Sequence, residues 1–174
     1  VGKIEDVKGF DRFARVHKRL ITEGYPIHTY VLGEGSKKAE IVAFLEKEGI
    51  KNSFSFLGYQ TNPYKFVRRS DIYVCASRSE GFSTATTEAL ILGTPVVTTL
   101  VSGMREMLGE NNEWGVVTEN NEEALYQGIK QILDDKKSLI YYREKAMERG
   151  KIFNTESTVK AVEDMLLCMV ENGL

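Results

Sequence analysis

Two carboxylates with a fixed spacing lie in one short stretch and could bind or polarise a substrate. Glu80 and Glu88, with seven residues between them, belong to the run E-G-F-S-T-A-T-T-E-A-L-I-L-G-T-P-V-V. The pattern predicts a helix over residues 83–92, capped by Ser83 or Thr84 and stopped by the glycine and proline that follow. Such a helix would carry Glu88 one turn beyond its start, with Glu80 just before the turn that leads into it.

The start of this helix is suited to a phosphate, because its unpaired backbone N–H groups carry a partial positive charge. Gly81 has no side chain and would let the phosphate approach the backbone closely. Glu88 leans back toward the helix start, where an acceptor-only carboxylate suits the vicinal diol of a ribose on the same ligand. Glu80 would then face the group beyond the phosphate. On spacing alone, paired carboxylates around a short helix are more often only a solvated face.

Composition limits the classes of partner. The chain has 174 residues, of which 42% are hydrophobic and 28% charged, which fits one globular domain. Its 23 basic and 25 acidic residues leave a net charge of −2, with no basic block, so nucleic acid is not an expected partner.

Cysteine use and hydropathy predict a cytoplasmic location. Cys75 and Cys168 lie far apart in apolar surroundings, which is typical of buried thiols in a reducing compartment. No run reaches the roughly 18 apolar residues of a membrane span, and the first residues do not look like a signal peptide. Val1 and Gly2 resemble the end of a strand, so we expect the chain to be a fragment of a longer protein.

Strand-like and helix-like segments alternate along the chain. Strands are predicted over residues 27–32, 54–57, 71–76, 94–98 and 114–118. Helices are predicted over residues 10–23, 37–48, 83–92, 121–133, 137–150 and 155–170, from Pro63 as first helical residue, and briefly around residue 106.

Five strands separated by helices predict an α/β fold with a doubly wound parallel sheet. Such sheets bind ligands beyond the carboxyl ends of their strands. The loops that carry Lys3, Gly33, Tyr59, Glu80 and Ser102 all lie at those ends, so the sequence predicts one shared cleft.

A partial glycine motif and two histidines are only weak indications of function. Gly33-Glu34-Gly35 is half a dinucleotide fingerprint that lacks its third glycine. His17 and His28 sit on a helix and at a strand start, and we do not expect either to be catalytic.

Several motifs together resemble the C-terminal half of a GT-B glycosyltransferase, closest to the large retaining group 1 family (family 4). They occur in family order as V-G-K, L-G-E-G, F-L-G-Y with N-P-Y, D-I-Y-V, the two-glutamate run and N-N-E-W-G-V-V. The resemblance covers essentially residues 1–174. It implies a Rossmann-like donor-binding domain with a helical C-terminus, and an N-terminal acceptor domain that is absent from this chain.

The resemblance also implies roles for individual residues. Lys3 and Lys8 would neutralise the donor diphosphate as catalytic residues, together with Glu80 beside the donor sugar. The donor-binding residues would be Gly81, Phe82, Ser83, Thr84, Glu88, Gly58, Tyr59 and Gly33. Tyr59 and Tyr64 could equally be packing aromatics. Neither a metal nor a cofactor is expected. The family commonly has Arg where Lys3 stands and Gly where Ser83 stands, and these departures leave the donor sugar open.

The implied function is transfer of a sugar from a UDP- or GDP-linked donor to a saccharide or lipid-linked saccharide, as in the synthesis of a bacterial surface polysaccharide. Any association with the inner face of the membrane would come from the missing half, and the isolated chain would be inactive. Two alternatives stay open: another GT-B enzyme, such as a sugar-nucleotide epimerase or a phosphorylase, or a non-catalytic nucleotide-sugar-binding module. A phosphorylase would need a Lys that bears pyridoxal phosphate, and the sequence shows no such setting.

Overall fold

The computed structural model of the protein describes residues 1–153, in which five strands alternate with helices. The strands are β1 Thr29–Val31, β2 Phe54–Phe56, β3 Tyr73–Cys75, β4 Val96–Thr99 and β5 Val116–Thr118. The helices are α1 Phe10–Thr22, α2 Lys38–Lys47, α3 Tyr64–Val67, α4 Thr84–Ile91, α5 Met104–Leu108, α6 Glu122–Asp134 and α7 Lys136–Gly150. The helix predicted over residues 155–170 and Cys168 lie outside the described residues.

Every strand and helix predicted within residues 1–153 is present, but the ends differ. The strands are shorter than predicted, because a residue counts as strand only where it pairs with a neighbouring strand. Helix α3 begins at Tyr64, so Pro63 precedes the helix and is not its first residue. The φ of Pro63, −71°, still suits a helix start.

The strands are parallel, as predicted, but they form two sheets and not one. Strand β1 pairs with β2, whereas β4 lies between β3 and β5. The first residues of the chain run beside the end of β1, where the Gly2 N–H donates to the Leu32 carbonyl at 2.9 Å and the Ile4 N–H to the Glu34 carbonyl at 2.9 Å. These two bonds add the first residues of the chain to the two-stranded sheet, but only beyond the carboxyl end of β1.

Helices cover both faces of the three-stranded sheet. Successive residues of a strand point to opposite faces: Val96 packs in a buried cluster with residues of α4, α5 and α7, and Val97 in a second cluster with residues of α1 and α6. Val117 and Val116 divide in the same way. This arrangement confirms the doubly wound α/β class.

His17 has a structural role between α1 and the two-stranded sheet. Its ring is fully buried and lies 2.8 Å from the Ser53 hydroxyl and 2.9 Å from the Thr29 hydroxyl. Burial, with a smaller contribution from the nearby His28, lowers the pKa of His17 to about 4. A neutral, hydrogen-bonded ring inside the core agrees with the expectation that His17 is not catalytic.

No helix within residues 1–153 combines the length and the apolar character that a bilayer crossing requires.

Candidate functional site

Glu80 lies in the loop between β3 and α4, with its side chain 9% exposed. The Lys8 ammonium donates to both of its carboxylate oxygens, at 2.7 and 2.8 Å. The Ser77 hydroxyl donates to Oε1 at 2.6 Å. Hydrogen bonds to a charged group are the strong ones, so this carboxylate is held in one place before any ligand arrives.

Lys8 reaches Glu80 because the chain passes very close to the end of β3. Gly9 follows Lys8 and has a φ of +65°, a left-handed conformation that favours glycine. A Cβ at this position would lie 1.9 Å from the Ala76 carbonyl oxygen. Only a residue without a side chain therefore allows the segment that carries Lys8 to approach the strand that leads to Glu80.

Arg78 fixes the entry to the same loop. Its guanidinium donates to both carboxylate oxygens of Asp11, at 2.8 and 2.7 Å, its N–H donates to the Val7 carbonyl at 2.8 Å, and its carbonyl accepts from the Asn120 amide at 3.0 Å. Partial burial alone would raise the pKa of Asp11, but the hydrogen bonds from Arg78 and from the Arg12 backbone hold it well below its ordinary value. Three separate segments thus anchor the approach to Glu80.

Helix α4 begins as predicted, with Ser83 as its cap. The buried Ser83 hydroxyl accepts from the Thr86 N–H at 3.4 Å and from the Thr86 hydroxyl at 2.9 Å. Within residues 1–153, the N–H groups of Thr84 and Ala85 donate no hydrogen bond. These two N–H groups at the positive end of α4 could receive an anion.

Glu88 lies one turn further along α4, in a more open setting. The Tyr64 hydroxyl, carried there by α3, donates to Glu88 Oε1 at 3.2 Å. The negative charge of Glu88, helped by this hydrogen bond, raises the pKa of Tyr64. Tyr64 is 46% exposed, and its place in the sequence fits packing and base contact equally. The structure gives it a polar contact with Glu88.

The two predicted lysines lie in different environments. Lys3 pairs with Glu5 at 2.6 Å and its side chain is 72% exposed, and the hydrogen bond that Lys3 donates to Glu5 raises the pKa of Lys3. The side chain of Lys8 is 33% exposed and pairs with Glu80. The two cations therefore have separate anionic partners, although both line the same cavity.

Gly33 and Gly58 have structural contacts at the end of the two-stranded sheet. The Gly33 N–H donates to the Gly58 carbonyl at 2.8 Å, and a Cβ on Gly33 would lie 1.9 Å from the Gly2 carbonyl oxygen. Tyr59, next in the chain, is 80% exposed. This loop offers a ring to solvent at the carboxyl end of β2.

A cavity of about 1010 Å³ brings together the three residues predicted to be catalytic, Lys3, Lys8 and Glu80. Its polar end is lined by Lys3, Lys8, Ser77, Glu80, Phe82, Ser83 and Thr84. Gly33, Gly58, Tyr59, Gly81 and Glu88 do not line it. Within residues 1–153, no three His, Cys, Asp or Glu side chains are placed to hold a metal ion.

Sequence reasoning missed Ser77 and Arg78. Both precede Glu80 in the loop that leaves β3, and that position was the available signal. Ser77 contacts Glu80 only three residues away, but the side-chain partners of Arg78 come from α1 and from the loop before α6, and no local pattern predicts those contacts.

The family profile described as "Glycosyl transferases group 1" matches residues 1–149. A Campylobacter jejuni relative, N-acetylgalactosamine-N,N'-diacetylbacillosaminyl-diphospho-undecaprenol 4-alpha-N-acetylgalactosaminyltransferase, is 34% identical over 168 residues, which are 95% of this chain and 44% of the relative. The lipopolysaccharide core biosynthesis mannosyltransferase LpcC of Rhizobium leguminosarum bv. viciae is 29% identical, over 95% of this chain and 50% of that protein.

Solved structures share the fold. TarM of S. aureus, whose crystal structure contains UDP, matches with a TM-score of 0.83 and 24% identity, over 95% of this chain and 33% of TarM. The chain spans half the length or less of each of these three proteins.

Proposed function

Because the chain belongs to the group 1 glycosyl transferases, we propose that it is the donor-binding part of a retaining glycosyltransferase. The enzyme would move a sugar from a nucleoside diphosphate to a hydroxyl of a saccharide acceptor and keep the anomeric configuration. The observation that carries this proposal is the Lys8–Glu80 ion pair beside the start of α4. A cation, a carboxylate and open backbone N–H groups meet there at one end of a cavity.

The diphosphate would bind between Lys8 and the N–H groups of Thr84 and Ala85. A departing nucleoside diphosphate gathers negative charge, and fixed cations and N–H groups stabilise that charge in the transition state. Lys3 would add a second positive charge once a phosphate competes with Glu5 for it. These groups would supply the charge neutralisation for which other enzymes use a metal ion.

Glu80 would act on the sugar side of the phosphate. Without ligand, both of its oxygens accept from Lys8, so an arriving diphosphate would draw Lys8 away from the carboxylate. Ser77 would keep Glu80 in place during this exchange. The released carboxylate could then orient the donor sugar or stabilise positive charge that develops on it.

Glu88 would bind the ribose hydroxyls, in exchange for the hydrogen bond from Tyr64. The loop over residues 58–64 would frame the base, with Tyr59 exposed beside it. Gly33 and Gly58 would shape this edge of the pocket, and Gly81 and Phe82 the edge that faces the sugar.

The donor would be UDP- or GDP-linked, and UDP is the first to test because TarM was solved with UDP. The acceptor would be a saccharide or a lipid-linked saccharide of a surface polysaccharide, in line with the names of the C. jejuni and Rhizobium relatives. The work would take place in the cytoplasm, or at the inner face of the membrane through the rest of the protein. An N-terminal domain would supply the acceptor half of the cleft, so the isolated chain would transfer no sugar.

A thermal-shift titration with UDP, GDP, ADP and their sugars tests donor binding, with Glu88→Ala beside the unchanged chain. A ligand at about 100 times its dissociation constant stabilises by about 2.7 kcal/mol, which raises Tm by about 5–10 °C for a chain of this size. We expect a shift with one diphosphate, reduced by about half or more in Glu88→Ala and unchanged by EDTA.

The whole protein provides the second measurement. Absence of a shift with every diphosphate, in this chain and in the whole protein, would contradict the proposal. Binding of a donor sugar by the whole protein without transfer to any saccharide would support a binding module instead.

A further inference from the structure

Glu106 carries a carboxylate that none of the described residues neutralises. It lies in the first turn of α5 and is exposed. Within residues 1–153 its side chain takes part in no hydrogen bond or ion pair, whereas Arg105 beside it pairs with Glu110 at 3.9 Å and donates to the Glu110 carbonyl at 2.7 Å. An exposed carboxylate is ordinary by itself, so its position and its surroundings decide whether it can have a function.

Helix α5 fixes the point from which the Glu106 side chain extends. Met104, Met107 and Leu108 are buried in the core. The Arg149 guanidinium donates to the backbone carbonyls of Glu106 and Met107. The backbone of Glu106 is therefore anchored, while its carboxylate has no partner in the described part of the chain. A charged group on such a rigid element can bind a ligand without first breaking a contact within the protein.

The start of α5 leaves a bare stretch of backbone between Glu106 and the loop that follows Glu80. Gly103 precedes the helix with a φ of +76°, a conformation that favours glycine. A Cβ on Gly103 would lie 3.8 Å from Phe82 Cδ2 and 4.0 Å from Glu106 Oε2. The same Cβ would lie 3.7 Å from the Gly81 carbonyl oxygen. A carbonyl, an aromatic ring and a carboxylate therefore surround one position that has no side chain.

These groups together have the chemistry of a sugar-binding surface. Phe82 is 63% exposed and offers its ring to the apolar C–H face of a pyranose. Glu106 can accept two hydroxyl protons, one on each carboxylate oxygen. The surface adjoins the proposed diphosphate position, because Gly81 and Phe82 directly precede the cap of α4. The sugar that a bound diphosphate carries would therefore reach this surface, with Glu80 beside it.

We infer that Glu106 is a further sugar-binding residue that determines which donor sugar is accepted. Its carboxylate accepts hydrogen bonds from hydroxyl groups of the donor sugar, which packs against Phe82 over the bare backbone at Gly103. The axial or equatorial direction of these hydroxyls decides how many of them reach one carboxylate, so Glu106 discriminates between epimers. This role for Glu106 rests on the proposed function, to which it adds the residue that recognises the sugar.

Calorimetric titration of the whole protein tests this role. The ligands are UDP and GDP, together with UDP-glucose, UDP-galactose, GDP-glucose and GDP-mannose, so that the two sugars on each nucleotide differ at a single hydroxyl. The variant is Glu106→Gln, which keeps the size of the side chain and removes its charge. Glu110→Gln is the matched control, because Glu110 is exposed, lies four residues further along the chain and already pairs with Arg105.

We expect Glu106→Gln to weaken binding of the preferred sugar nucleotide by about tenfold and to leave the affinity for the free diphosphate unchanged. The preference between the two epimers should fall by a similar factor, and Glu110→Gln should change none of these values. Unchanged binding of every sugar nucleotide, equal weakening of the diphosphate and its sugars, or an equal effect of Glu110→Gln would overturn the role of Glu106 alone. If the whole protein bound no diphosphate, the proposed function itself would be contradicted, and the role of Glu106 with it.

Discussion

Glu80 and Glu88 belong to one motif but lie in opposite environments. Glu80 is almost buried and accepts three hydrogen bonds, two from Lys8 and one from Ser77. Glu88 is part-exposed on a helix and, within residues 1–153, accepts one side-chain hydrogen bond, from Tyr64 at 3.2 Å. The first carboxylate is fixed by the protein, whereas the second is open to exchange its partner for a ligand.

Because of this difference, we expect removal of the two carboxylates to have different effects on the protein. Loss of Glu80 would leave the Lys8 ammonium without its partner in a partly buried site, and an unpaired polar group there costs more than the hydrogen bond was worth. Loss of Glu88 would leave only an exposed phenol. We therefore expect Glu80 to matter for both chemistry and folding, and Glu88 for ligand affinity alone.

The largest effect is expected for Glu80→Gln in the whole protein. The amide keeps the size of the side chain but cannot stabilise positive charge, so the rate of sugar transfer should fall by about 10²–10³-fold. Donor affinity should stay the same or increase, because Lys8 is released for the diphosphate. Glu88→Gln, measured in parallel, should transfer normally at saturating donor. Equal losses of maximal rate in both variants would mean that Glu80 and Glu88 do not differ in their roles.

The next effect is on affinity. Glu88→Gln should weaken binding of the nucleoside diphosphate by about ten- to a hundredfold, since hydrogen bonds to a charged group contribute about 1.5–3 kcal/mol. Tm without ligand should not change. Calorimetric titration with the ribonucleotide and its 2′-deoxy form provides the control, because a ligand that lacks the hydroxyl should discriminate much less between the two proteins. Full discrimination with the deoxy ligand would show that Glu88 acts elsewhere.

Two double-mutant cycles, measured in the free energy of unfolding, compare the contact of Glu80 with Lys8 and the contact of Glu88 with Tyr64. Lys8→Met with Glu80→Gln should show a coupling of about 1–3 kcal/mol, as contacting charged groups do. Tyr64→Phe with Glu88→Gln should show no coupling above experimental error. Urea unfolding at low and high salt supplies both values. A strong second coupling would mean that Tyr64 anchors Glu88 structurally.

The smallest effect concerns titration. Ionised Glu88 disfavours the Tyr64 phenolate, so the pKa of Tyr64 lies above its ordinary value. Glu88→Gln should lower this pKa toward about 10, the value of a free tyrosine. Ultraviolet titration of phenolate absorbance, with Tyr64→Phe to identify the signal, measures it. If the pKa of Tyr64 did not change in Glu88→Gln, the two side chains would not be in contact in solution.

The local sequence correctly predicted those features that depend on interactions between residues close together in the chain. Ser83 caps α4 as expected, because a hydroxyl before a helix bonds to the nearest free N–H. The parallel strands and the helices on both faces followed from the alternation of segments. The pairing of Lys8 with Glu80, in contrast, joins residues 72 positions apart, and Lys3 paired with its neighbour Glu5. Which lysine meets which carboxylate depends on tertiary packing.

Gly9 shows how a residue without functional groups can limit the evolution of a site. Its place against the Ala76 carbonyl leaves no room for a methyl group, so every other amino acid there would push apart the segments that carry Lys8 and Glu80. A mutational scan scored for sugar transfer would mark Gly9 as intolerant, alongside residues that contact the donor. Lys8 and Gly9 should therefore be retained together in evolution, because Gly9 sets the position of the Lys8 ammonium.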